Sequence, residues 1–113
     1  MMNIFENINL YALSKPKAKV VSVRDLDIDL YLIGKSAFLV IEKRCSMLIL
    51  RDSSFITKIF TSKYGINATR YSYLNKDIWI QVSLKNNFDF EDMKKCIDNS
   101  YQSLFDSILY IRN

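Results

Sequence analysis

The chain has 113 residues, with 16 Lys or Arg against 12 Asp or Glu, a net charge of +4, and half of its residues apolar. That length allows one domain with one core, enough to fold without disulfides or metals. There is no histidine, which rules out Ser-His-Asp and Cys-His chemistry and disfavours the usual zinc sites. No Gly-rich phosphate loop is present, so the expectation is a non-enzymatic protein with no cofactor and no metal.

Asn3 followed by Glu6 has the spacing of a helix start, and Ile4, Phe5, Ile8, Tyr11 and Ala12 then share one helical face. Pro16 ends that helix near Ser14. Residues 18–24 are β-prone but alternate only weakly. Three clearer strands follow at 28–33, 37–42 and 46–51, joined by Gly34-Lys35-Ser36 and Lys43-Arg44-Cys45, connections short enough for antiparallel hairpins. A helix is expected at 53–63, capped by Asp52 to Ser54 and closed by Gly65. Beyond it come a short strand near Arg70 to Tyr73 and an alternating strand at 77–84. In the latter Ile78, Ile80, Val82 and Leu84 face one way, and Trp79 the other.

Asp89 and Asp92 open a final helix whose apolar stripe runs from Met93 through Cys96, Ile97, Tyr101, Leu104 and Phe105 to Ile111. The chain, 1–113, is read as a single α+β domain: helix, three strands, helix, two strands, helix. The sheet is mainly antiparallel with helices packed on one face and a more open opposite face. Both cysteines, Cys45 and Cys96, are expected as reduced core residues. The first residues carry no cationic leader before an apolar run, and apolar runs fall far short of the ~20 residues of a membrane helix. A cytoplasmic protein with no membrane partner is expected.

Several short pieces in the last two-thirds form an ordered set: Ile33-Gly34-Lys35-Ser36-Ala37-Phe38, Tyr64-Gly65-Ile66, Tyr73-Leu74-Asn75-Lys76-Asp77-Ile78-Trp79, the acidic start at 89–92, and Asp98-Asn99-Ser100-Tyr101. In this order and spacing they resemble the MmcQ/YjbR family. That family shows a Gly-Lys with a nearby Phe, an Asn-Lys-x-x-Trp strand entry and a Ser-Tyr in its last helix. The resemblance covers residues 33–113. The family's Leu-Pro-Gly-Ala-like end of the first helix is replaced here by Leu13-Ser14-Lys15-Pro16-Lys17-Ala18, and 18–30 matches nothing specific. The resemblance implies the same element order, similar to the double-wing DNA-binding domain of a phage transcription factor, and a DNA-binding role. The matching positions are Lys35, Phe38, Asn75, Trp79, Ser100 and Tyr101.

Charge placement points independently in the same direction. Residues 43–85 hold eight basic residues and two acidic ones, whereas 1–42 are balanced and 86–113 are acidic. The expected phosphate contacts are Lys43, Arg44, Arg51, Arg70 and Lys76, with Lys43-Arg44 and Asn75-Lys76 at two hairpin tips. Tyr73 and Trp79 are candidates for stacking on bases, set against the commoner role of strand aromatics as packing residues. Asn75 is read as a turn residue, Ser100 as packing against or bonding into its own helix, and Tyr101 as an anchor of that helix. The expected partner is nucleic acid, DNA bound with low specificity. The alternative is a protein-interaction or chaperone-like module using the sheet or the C-terminal helix.

Overall fold

The computed structural model describes residues 3–51, 69–70, 79–84 and 89–112. Helix α1 (Ile4–Leu13) starts where the capping pair requires: the Asn3 side-chain oxygen accepts from the Glu6 N–H at 2.9 Å, and the Asn3 amide donates to the Glu6 carboxylate. Strands β1 (Ala18–Val23), β2 (Ile28–Ile33), β3 (Ser36–Glu42), β4 (Met47–Arg51), β5 (Thr69–Arg70) and β6 (Trp79–Ser83) follow, with helix α2 (Phe90–Arg112) last. All six strands form one antiparallel sheet in the order β1-β2-β3-β4-β6-β5. The α+β expectation holds. The expected helix at 53–63 lies outside the described residues.

Four strands, not three, precede that segment. Residues 18–23 pair with β2 along their whole length, from Ala18 opposite Ile33 to Val23 opposite Ile28. Their alternation is weak in the sequence because β1 is an edge strand, with Lys19, Val21 and Ser22 all exposed. The β2–β3 connection is a two-residue turn with Gly34 at φ +62°, the first-position glycine of a type II′ hairpin. The β3–β4 connection closes through a hydrogen bond from the Ser46 N–H to the Lys43 carbonyl, with Ser46 itself left-handed.

Cross-strand partners share a sheet face. Asp29, Tyr31, Leu39, Ile41, Leu48, Leu50, Ile80 and Val82 point toward α1 and α2. There the apolar members bury a continuous core with Ile8, Ala12, Met93, Cys96, Ile97 and Leu104. Between Tyr31 and Leu32 the register of β2 on β3 shifts, so that Phe38 is an extra residue and consecutive Phe38 and Leu39 both enter this core.

Two expectations need correction. The second sheet face is not open where β3, β4 and β6 meet: Val40, Ile49 and Trp79 are buried there, flanked by Ile28, Leu30 and Ala37. Near the β1 edge, Val21 is exposed. Cys96 lies in the core, but Cys45 is exposed because it occupies the β3–β4 turn, which no element covers among the described residues. No helix among the described residues is long and apolar enough to cross a membrane.

Candidate functional site

The sheet's hairpin connectivity sorts charge to its two ends. At one end lie the turn Arg24–Asp27, the start of β2, the end of β3 and the β3–β4 turn. This end carries Asp25, Asp27, Asp29 and Glu42 together with Arg24, Lys43 and Arg44. At the other end lie the start of β1, the β2–β3 turn, and the ends of β4 and β5. This end carries Lys17, Lys19, Lys35, Arg51 and Arg70, and no carboxylate stands there on the described strands and turns. Asp52 and Asp77 flank this end in sequence and lie outside the described residues.

At the first end Lys43, Arg44 and Asp29 are held by partners within the fold. Lys43 Nζ lies 3.0 Å from Asp29 Oδ2, and the other Asp29 oxygen accepts from the Ser22 hydroxyl at 2.7 Å. Arg44 folds back to donate to the Asp25 carbonyl at 2.8 Å, and the Lys43 N–H bonds to the Asp27 carbonyl. The Lys43-Arg44 tip expected to reach for phosphate therefore ties two turns together. A cleft of about 390 Å³ beside it is lined by Asn3, Phe5, Glu6, Asn9, Asp29 and Lys43. Its polar groups are also spoken for: Asn9 accepts from the buried Tyr31 hydroxyl at 2.7 Å, and Asn3 caps α1.

The second end is different. Lys17, Lys19 and Lys35 are exposed, and none has an ion pair among the described residues. Arg51 is half-buried, directly across the β4–β6 ladder from Trp79, with its guanidinium 5.7 Å from the indole centre. Its Nε is buried and has no hydrogen-bond partner among the described residues. Burial also lowers the guanidinium from its ordinary value, because desolvation penalises the charged form.

The Arg51 backbone is held firmly. The last β3–β4 pair is Leu39 with Leu50, so Phe38 and Arg51 face each other just beyond the ladder. The fully buried Ser100 hydroxyl fills the gap, accepting from the Arg51 N–H at 2.9 Å and donating to the Phe38 carbonyl at 2.5 Å. Ser100 thus bonds to two strands and not into its own helix, because the bulge at Phe38 leaves a carbonyl without a ladder partner. Tyr101 anchors α2 as expected, its ring edge-on to Phe38 at 5.3 Å and its hydroxyl donating to the Pro16 carbonyl. Lys15 is absorbed at the α1–α2 contact by Asp98 and by the Tyr11 ring and hydroxyl.

Of the residues singled out in the sequence, the fold brings Arg51, Arg70 and Lys35 to one end and places Lys43 and Arg44 at the other. Trp79 is buried, which removes it as a platform for bases, while Tyr73, Asn75 and Lys76 lie outside the described residues. Lys17 and Lys19 were missed. The signal that could have found them is the turn at Arg24–Asp27, since pairing 18–23 against 28–33 across it sets Ala18 opposite Ile33 and both lysines near Lys35.

No family model and no curated protein matches the sequence. Among solved structures, the chain is similar to protein DR2400 of Deinococcus radiodurans, described by the family-model domain DUF419. The TM-score is 0.71 at 14% identity, over 88% of this chain and 77% of that one. At that identity the likeness is one of fold, and it supports the small α+β architecture.

Proposed function

We propose that the chain binds nucleic acid, taking the phosphate backbone along the cationic end of its sheet and performing no reaction. The observation that carries this reading is the separation of charge between the two ends. From β1 to β5 the cationic end spans five inter-strand steps, roughly 24 Å, and has basic residues on β1, the β2–β3 turn, β4 and β5. Such a row suits a line of phosphates better than a single small anion. With Trp79 buried, contact by the described residues of this end is through charge, which supports low sequence specificity. The MmcQ/YjbR resemblance and its DNA-binding association agree with this reading.

Titration of a labelled duplex oligonucleotide against salt tests it. With about four phosphate contacts, log K falls against log salt with a slope near −3.6, from about −0.9 per contact. Reversing Lys19 and Lys35 together to Glu flattens the slope by about two contacts. Reversing Lys43 and Arg44 leaves the slope nearly unchanged, and reversing Lys94 and Lys95 on α2 serves as the control. A dominant effect from Lys43 and Arg44 would return the interface to the other end of the sheet.

A second reading, a protein-interaction module, is favoured by β1. This six-residue edge strand pairs on one side only among the described strands and exposes Val21. Absence of any oligonucleotide binding at low salt, with a concentration-dependent mass in light scattering, would make it the better account.

A further inference from the structure

We infer that Arg51 is the receptor for one phosphate group of the bound nucleic-acid backbone, a role that rests on the reading of the cationic end given above. Lysines 17, 19 and 35 are exposed and hydrated, so each contributes mainly as a point charge. Arg51 alone combines charge, partial burial and a donor left without a partner among the described residues.

Three features fix its position. Its backbone N–H is held by Ser100, its side chain leans on the Trp79 ring, and its strand is paired on both sides, by β3 and by β6. A guanidinium pre-positioned in this way loses little freedom on binding, and its planar fork suits two oxygens of one phosphate. An orphaned, desolvated donor works against folding. A residue of this kind, kept at the end of a sheet where no described carboxylate meets it, has the profile of a group reserved for a ligand rather than for stability.

The same profile gives the test, because stability and binding should move in different directions. Arg51→Met keeps the length of the side chain and its contact with Trp79 but removes charge and donors. Its melting temperature is expected to equal or exceed that of the unchanged protein, while affinity for a duplex oligonucleotide falls roughly tenfold or more. Arg51→Lys keeps the charge and is expected to lose most of the same affinity. Lys35→Gln loses only the share of one exposed contact. Trp79 is the single tryptophan of the chain, so its emission should change when the unchanged protein binds the oligonucleotide and stay constant in Arg51→Met.

Wild-type affinity in Arg51→Lys would overturn the inference, as would a lowered melting temperature in Arg51→Met, which would reveal a partner for the guanidinium within the fold. A Trp79 response to polyglutamate as strong as to the oligonucleotide would overturn the nucleic-acid assignment in favour of a protein carboxylate. Binding lost on reversing Lys19 and Lys35, yet intact in both Arg51 variants, would overturn this inference and leave the broader reading standing. No binding by the unchanged protein would overturn both.

Discussion

Ser100 shows how much one hydroxyl can hold at a strand boundary. It satisfies a backbone donor on β4 and a backbone acceptor on β3, just beyond the last pair of their mutual ladder. Replacing it with Ala leaves both groups without their partner inside the fold, and each unsatisfied buried group costs ~1–3 kcal/mol. Ser100→Ala is therefore expected to lower stability by about 2–6 kcal/mol in urea unfolding; a loss below a few tenths would mean that water reaches the gap. The two cysteines provide a second check at this scale. Cys45 is exposed, whereas burial, helped by the neighbouring Asp92, pushes the Cys96 thiol up to about 12. A thiol reagent should count one fast group in the native protein and two after denaturation. Two fast groups in the native state would contradict the burial of Cys96.

At the scale of elements, the β2–β3 turn depends on Gly34. Its φ of +62° is one that L side chains avoid, but an added Cβ there would meet nothing within 4 Å. The penalty for Gly34→Ala is then conformational alone, about 1–2 kcal/mol, and it should appear as a lowered unfolding midpoint with the sheet's circular dichroism unchanged. A loss several times larger would point to steric conflict that the geometry does not contain. The turn was legible in the sequence, as were α1 with its cap, the cores of β2, β3, β4 and β6, and the apolar stripe of α2 from Met93 to Leu104, beyond which Phe105 is exposed, because each rests on local periodicity or on one residue's backbone preference. What escaped had non-local causes. β1 hides its pattern because apolar Val21 stands on its exposed face. The double entry of Phe38 and Leu39 into the core comes from a register shift that no alternation rule contains. Arg51 meets Trp79 only because β4 and β6, far apart in sequence, become neighbours. The candidate site suffered most, since counting charges along the chain grouped Lys43 and Arg44 with Arg51, and the folded hairpins put them at opposite ends.

For the whole molecule, four groups among the described residues are raised, whereas burial lowers Arg51. Tyr11 and Tyr31 are raised from 10.0, chiefly by burial, and Lys15 is raised from 10.5 on balance: burial acts to lower it, and its bonds to Asp98 and Tyr11 outweigh that. Cys96 is raised from 9.0 to about 12. A group with a raised folded value holds its proton in the native state after the unfolded chain has released it, so stability declines as pH rises through that interval. The urea midpoint should hold below pH 9 and fall steadily between 9 and about 12. A midpoint constant across that range would mean that these four groups are solvated alike in both states.

The separation of charge along the strands has a kinetic side as well. A cationic end and a nearly balanced end give the described sheet an electric moment, and near a polyanion that moment produces a torque. The cationic end is turned inward while the protein is still a Debye length away, about 10 Å at 0.1 M salt. Encounters would then arrive already oriented, and added salt would slow association far more than it hastens release. In stopped-flow traces the salt dependence should fall mainly on the on-rate, whereas a randomly arriving cationic protein would divide it between the two rates.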